Sequence, residues 1–506
     1  MNSPLRLIRD LLPFAQPDAE QKAAATVRGL LDTVAGLAPE EVVVKLSAKV
    51  LPGVVKQQDL PMRFKLLEEI RDETERNLPA LERHVSESAL PLPAQTTGIA
   101  LHADNLIKGL CLAYAGIART IELQHQSEAL SPLYHRALHR AIGLLTRRQL
   151  LAYRAYAAPS SGSWQLLHEL YRKACQPHAK PLNGETAPIE HEYLCALVFA
   201  YLEPSKLPRG ELELAHDCTR QLAAYALISE VAADQMLSKP EARYLVLPDE
   251  GHAGYALMRL PDGVSTAGGL IIDCAPVLAA IDKHLERRPG KEIEPEFNAS
   301  PAVLQSLRVA LASKGSRRFG RSRFRPRADL ICGLEAVLSF IQDHAFSRRS
   351  VDLAQRDKSA PRPSEWALID ESPDGFLIRY LKGEKQKLGA GDIVALQPRD
   401  ASKIHVCLVR RVVSTQMRLE FGLQLLSPQV SVAEVQPENG SGVRCIFLHS
   451  LPAFGQFSGL IVPPESLAPG HRVAIRLAGK TVFRQIGKRI EGNDRLEFLA
   501  LDLLPD

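Results

Sequence analysis

The chain has 506 residues, 45% hydrophobic and 24% charged, with 62 Lys and Arg against 58 Asp and Glu. That is material for several domains, about three by length, with ordinary hydrophobic cores. A formal charge of only +4 argues against a protein that coats nucleic acid over its whole surface.

The N-terminus, "MNSPLRLIRDLLPF", carries Arg6, Arg9 and Asp10 and lacks the apolar run of a signal peptide. Residues 1 to about 240 read as helices. In the segment 99–121, Ile99, Ala103, Leu106, Leu110, Ala113, Ile117 and Ile121 step by three or four along one apolar face. Ala215, Cys218, Leu222 and Tyr225 repeat the step. Lys108 and Arg119 interrupt the most apolar helix, which therefore does not read as a membrane span. Breaks are expected at "LPLPAQTTG", "APSSGS", "PHAKPLNGETAP" and "LEPSKLPRG". No strict repeat appears, so this half reads as an irregular helical array.

Residues 241–313 read as mixed α/β, with short strands at "ARYLVLP", "GYALMRL" and "GLIID" and helices at "APVLAAIDKHLERR" and "SPAVLQSLRVALAS". From residue 327 the period becomes 2. "ADLICGLEAVLSFI", "WALIDES", "GFLIRYL", "GDIVALQP", "HVCLVRRVV" and "RLEFGLQLL" predict strands of an antiparallel barrel over 314–432. The polar segment "SRRSVDLAQRDKSAPRPSE" is expected to be a mobile insertion between the first two strands.

Residues 440–506 look like a second, degenerate copy. "GFLI", "LGAGDIVAL" and "RLEFGLQLL" are echoed in the same order by "GLIV", "LAPGHRVAI" and "RLEFLALDLL". Aligning Gly459 with Gly375 puts Phe454 at the place of Asp370 and Gln456 at that of Ser372. The second copy is therefore expected to bind no ligand.

The most one-sided stretch is "KGSRRFGRSRFRPR", residues 314–327, with Lys314, Arg317, Arg318, Arg321, Arg323, Arg325 and Arg327 and no acid. It holds R-x-x-x-R in three registers: 317/321, 321/325 and 323/327. Further on, "WALIDESPDG" contains Asp370-x-Ser372-x-x-Gly375. In this pairing, and in the later "LGAGDIVAL…VRRVV…LEFGLQLL", the stretch from Arg317 to Pro428 resembles the PilZ family. These are small β-barrels of bacterial signal transduction that bind cyclic di-GMP.

The resemblance implies a PilZ-type β-barrel with cyclic di-GMP as ligand. Arg321 and Arg325, or Arg317, Arg323 and Arg327 in the other registers, would contact guanine and phosphate. Asp370 and Ser372 would contact guanine and phosphate groups, and Gly375 would keep the turn open. The chemistry fits. A guanidinium forks to guanine O6 and N7 or to two phosphate oxygens, and a carboxylate suits the N–H donors of guanine. Trp366, just ahead, reads as core or rim packing.

Rival features are weaker. "AIRLAGKT" misses the first glycine of a nucleoside-triphosphate loop and reads as a hairpin. "HEYLC" has Cys195 where a zinc-protease helix needs its second His. The eight cysteines form no C-x-x-C pair and read as reduced core residues of a cytoplasmic protein without a structural zinc.

The whole reads as a multidomain protein. A helical domain (1–240), a mixed connector (241–313), a PilZ-like barrel (314–432) and a degenerate barrel (440–506) follow one another. The expected function is that of a non-enzymatic cyclic di-GMP receptor without cofactor. Its ligand would order the Arg-rich linker and reposition the helical half toward a protein partner. The alternatives are a nucleic-acid-binding protein using the same arginines on phosphates, and a ligand-free helical scaffold.

Overall fold

A computed structural model of the protein describes residues 19–124, 130–176, 187–232, 240–260, 263–286, 301–312, 326–342, 362–385, 387–401, 403–415, 418–437, 441–450, 458–477 and 479–502. The helical half is built on α1 (Ala19–Asp32), α2 (Pro39–Lys45), α3 (Leu51–Val55), α4 (Leu60–Glu87), α5 (Ala94–Leu123), α6 (Ser131–Arg154), α7 (Ser161–Ala174), α8 (Ala187–Tyr201) and α9 (Arg209–Leu222). The apolar stripe expected on α5 is buried from Ile99 to Ile121, because side chains three and four apart share one face of a helix. Three of the expected breaks, at 90–98, 158–163 and 202–210, fall between helices, and the fourth, at 177–188, lies up to residue 186 outside the described residues. Ser160 caps α7 by accepting a hydrogen bond from the Ser163 amide at 3.3 Å. Ala215, Cys218 and Leu222 are buried on α9, whereas Tyr225 lies beyond its end and is half exposed. Among the described residues no helix is long and apolar enough to cross a membrane.

A four-stranded antiparallel sheet follows, from β1 (Leu227–Glu230), β2 (Arg243–Val246), β3 (Tyr255–Ala256) and β4 (Leu270–Asp273), in the order β1-β4-β2-β3. Sequence periodicity misses β1, which is four residues long and mostly exposed. The sheet continues into α10 (Ala275–Leu285) and α11 (Pro301–Ala312). The helices of this half share one hydrophobic core with residues of the sheet and of α10 and α11, while Leu90 and Tyr156 belong to the core of the first barrel.

Two closed six-stranded antiparallel barrels complete the fold. The first contains β5 (Arg327–Cys332), β6 (Ser364–Ser372), β7 (Gly375–Lys382), β8 (Ile393–Pro398), β9 (His405–Ser414) and β10 (Leu419–Ser427), ordered β10-β7-β6-β5-β8-β9. The second contains β11 (Val430–Pro437), β12 (Val443–Leu448), β13 (Gly459–Val462), β14 (Arg472–Leu477), β15 (Lys480–Gly492) and β16 (Glu497–Asp502), ordered β11-β12-β13-β16-β15-β14. Read around the ring, the two orders are identical strand for strand. Each echo in the sequence falls on an equivalent strand: β7 with β13, β8 with β14, β10 with β16.

Two expectations are corrected. The stretch read as one strand, "ADLICGLEAVLSFI", is β5 followed by a helix, α12 (Leu334–Gln342). Gly333 has φ +91°, and that left-handed residue ends the strand. Val337, Leu338 and Phe340 of α12 then pack between the barrels against Ile393, Leu408, Ile446 and Leu496. The second barrel also begins at Val430, not near 440, because β11 pairs with β12 and β14. The insertion expected to be mobile lies, up to residue 361, outside the described residues.

The helical half is pinned to the first barrel. Tyr156, buried and with φ +53°, donates its hydroxyl hydrogen to the Leu207 carbonyl at 2.9 Å and accepts from the Ala390 amide at 3.3 Å. Its own carbonyl accepts from the Ser414 amide at 2.8 Å. Arg495, on the turn before β16, holds buried Asp392 at 2.9 Å. Burial pushes that carboxyl up despite the guanidinium.

Two histidines, His168 buried and His405 half-buried, set an acid limit on stability. Burial lowers His168, between Tyr193 and the His252 carbonyl, to about 4. Burial, together with Lys403, does the same to His405, which packs on Phe376. The unfolded chain takes up these protons below about pH 6.5 and the folded chain does not. Stability is therefore lost as pH falls from 6.5 toward 4, by about 2 kcal/mol per histidine at pH 5. Melting curves between pH 7 and 5 should show this fall, and His405→Leu should flatten it. An unchanged slope in that variant would contradict the assignment.

Candidate ligand-binding cleft

The β6–β7 hairpin builds the part of the site that the sequence marks. Along β6, Trp366 and Leu368 point into the barrel. A bulge between Leu368 and Asp370 then changes the register, so that Asp370 stands opposite Leu377 on the outer face. Ser372 pairs with Gly375 at the hairpin end, and its hydroxyl donates to the Gly375 carbonyl over a long 3.3 Å.

Gly375 has φ +152°, a region essentially reserved for glycine. A Cβ there would overlap the Leu423 carbonyl oxygen of β10. The residue thus allows β7 and β10 to pair. Gly459 is its counterpart in the second barrel, where a Cβ would stand 2.9 Å from the Leu499 carbonyl oxygen. Phe454 and Gln456, expected at the positions of Asp370 and Ser372, lie outside the described residues.

Asp370, Ser372, Asp374 and Gly375 open onto a cleft of about 1080 Å³. Its floor is the outer face of β7, β9 and β10, including Leu377, Arg411, Gly422 and Gln424. Its far wall comes from the helical half: Lys206, Glu211 and, from α11, Gln305, Ser306, Val309 and Ala310. The second barrel closes one end with Ile490, Glu491, Gly492 and Asn493. A cleft between domains with convergent polar groups is the usual place for a small ligand.

The described walls are net acidic. Glu203, Glu211, Asp370, Asp374, Glu420 and Glu491 face Lys206, Arg410 and Arg411. Burial first, and then Glu491 and Asp494, push the Glu211 carboxyl up. Lys206 pairs with Glu203 and Arg410 with Glu491. A dianionic ligand would need cations beyond these two.

Of the arginines singled out in the sequence, Arg317, Arg321, Arg323 and Arg325 lie outside the described residues. Arg327 is described, and it is not part of the cleft lining. It pairs with Glu365 at 2.7 Å, beside Arg399, which holds Glu365 at 3.0 Å and Asp329 at 2.7 Å. Trp366 is core: 1% exposed, packed on Tyr380 and Phe421, its indole N–H donating to Ser364 at 2.8 Å. The helical wall of the cleft and Arg411 were not singled out. The signal for Arg411 is the doublet Arg410-Arg411, which breaks the alternation of an otherwise apolar strand.

Among the described residues no group of His, Cys, Asp and Glu could hold a metal ion. All eight cysteines are free thiols; six are buried, Cys332 is half-buried and Cys175 exposed.

The helical half thus closes a cleft on the first of two like barrels. Comparison with known proteins gives two likenesses. Residues 41–234 match the family model described as the N-terminal domain of the cyclic-di-GMP receptor FimW. The chain is 22% identical over 491 residues to the cyclic-di-GMP receptor FimW of Pseudomonas aeruginosa, covering 83% of this chain and 80% of that protein. No solved structure matches the chain.

Proposed function

We propose that this protein is a cytoplasmic, non-enzymatic receptor for cyclic di-GMP, with a PilZ-like first barrel, and that the ligand binds in the cleft between that barrel and the helical half. The observation that carries the reading is the convergence of two separate parts of the chain. Asp370, Ser372 and Gly375 line one side of the cleft, and α11, which leads directly into the Arg-rich stretch, lines the other. The Arg-rich stretch follows α11 directly in sequence, and in this reading its arginines answer the acidity of the described walls. Similarity to a cyclic-di-GMP receptor along most of the chain supports the same reading.

In this reading Asp370 accepts hydrogen bonds from a guanine and Ser372 gives one to a phosphate. The arginines neutralise the two phosphates and fork to guanine. Tyr156 keeps the helical half docked, so ordering of the linker acts on it through α11 and signals to a protein partner. The second barrel binds no ligand and serves packing or a partner.

The arginines offer a direct test. Arg321→Ala or Arg325→Ala should each remove charge-assisted hydrogen bonds of about 1.5–3 kcal/mol, a ten- to hundredfold loss in affinity for cyclic di-GMP by titration calorimetry. Full affinity in every single Arg→Ala variant from 317 to 327 would place the site elsewhere.

A further inference from the structure

The cleft floor carries a cation that the reading above leaves unused. Register across the first barrel puts Asp370 opposite Leu377, Leu377 opposite Gly422, and Gly422 opposite Arg411. Directly opposed residues share a face, so these four form one row across β6, β7, β10 and β9. The row is on the outside, since the neighbours Leu368, Ile378, Phe421 and Val412 belong to the barrel core. At one strand spacing per step the row spans about 14 Å. That is further than one base bridges, and within the reach of a dinucleotide.

Arg411 is on the outer face because β9 bulges. Gly422 pairs with Arg411 and Leu423 with Val409, leaving Arg410 as the extra residue. Such a bulge re-aims side chains. Here it brings two consecutive arginines to the surface, and they differ in their partners. Arg410 is bound to Gln424 at 2.6 Å and to Glu491 of the second barrel. Arg411 is exposed in the cleft, and its guanidinium has no hydrogen bond or ion pair among the described residues. Of the three cations on the described walls it is the one not already neutralised.

Gly422, its neighbour in the row, points the same way. Its φ is not in the left-handed region, and a Cβ there would meet only the Arg411 Cβ, at an ordinary 3.5 Å. The backbone therefore does not require glycine. A glycine inside a strand that needs none, on a cleft floor, leaves room for a close approach.

We propose that Arg411 is a ligand-binding residue of this cleft. It takes a phosphate of the bound dinucleotide over the gap left by Gly422, while Asp370 holds a guanine at the other end of the row. The proposal rests on the cyclic di-GMP reading above and extends it to a strand outside the Arg-rich stretch and the D-x-S-x-x-G motif. The charge is matched: an unpaired guanidinium in an otherwise acidic cleft is where an anion is stabilised.

The test is calorimetric titration of cyclic di-GMP into the full chain and the variants Arg411→Ala, Arg411→Lys and Gly422→Val, with melting temperatures alongside. Arg411→Ala should weaken binding ten- to a hundredfold. Arg411→Lys, which keeps a point charge for phosphate, should recover most of the loss. Gly422→Val should weaken binding by filling the gap. All three should melt within a few degrees of the unmodified chain, because neither side chain holds the fold. Unmodified affinity in Arg411→Ala, in a chain whose Asp370→Ala variant binds weakly, would overturn the role of Arg411 and leave the receptor reading standing. Absence of binding by the unmodified chain would instead remove the reading on which it rests.

Discussion

Replacement of Gly375 by alanine is expected to destabilise the first barrel by about 3–5 kcal/mol, combining backbone strain and overlap in a tight site. The φ of +152° excludes a relaxed L-residue, and the added Cβ would press on the Leu423 carbonyl of the neighbouring strand. The atom it meets is backbone, so no side chain can swing aside. Relief requires β7 and β10 to separate, and Gln424 and Leu423 pair with Gly375 and Phe376 at that point. A shift this large is a sizeable share of a domain's stability. It should appear as a markedly lower first transition in a thermal or denaturant melt. An unchanged melt would mean that the hairpin does not pair as described. A loss of ligand binding in this variant would report on folding and says nothing of a ligand contact by Gly375.

The second large effect is on binding. Asp370→Ala should weaken cyclic di-GMP binding by at least about 1.5 kcal/mol, roughly tenfold. Loss of the carboxylate leaves guanine donors unpaired in a partly dry cleft. The sign is informative. On a surface that bound nucleic acid through phosphates alone, Asp370 would be a repelling charge among arginines, and its removal would tighten binding and leave a steep salt dependence. Tighter or equal binding of cyclic di-GMP by a folded Asp370→Ala protein would remove the guanine-reading role.

Much of the fold is legible in the sequence because its periods are clean. Seven apolar positions stepping from Ile99 to Ile121 fix the face of α5, and the echo of "RLEFGLQLL" in "RLEFLALDLL" announces a second barrel of identical strand order. What periodicity misreads is local. "LICGLEAVLSFI" looks continuous because β5 and α12 are both buried, and an apolar run does not distinguish a strand from a short buried helix. Gly333 is the punctuation mark between them. β11 falls across the expected boundary between the barrels (432 to 440), because a strand's partners, here β12 and β14, are set by closure of the ring and leave no local mark in the sequence.

One side of the candidate cleft is legible in the sequence. Asp370, Ser372 and Gly375 stand within six residues, and that motif carries its own geometry. The other side is tertiary. Lys206, Glu211 and Gln305 reach the cleft only through the docking of the helical half on Tyr156, whose partners Leu207, Ala390 and Ser414 are distant in sequence. Arg411 comes into view only when the register of four strands is known.

The account turns on one titration: cyclic di-GMP into the purified full chain at physiological salt, by calorimetry. It predicts saturable binding at a single site in the first barrel, with stoichiometry unaffected by changes in the second barrel. Random DNA at the same salt should show little affinity. Absence of heat and of saturation with cyclic di-GMP, in a chain that melts cooperatively, would contradict it.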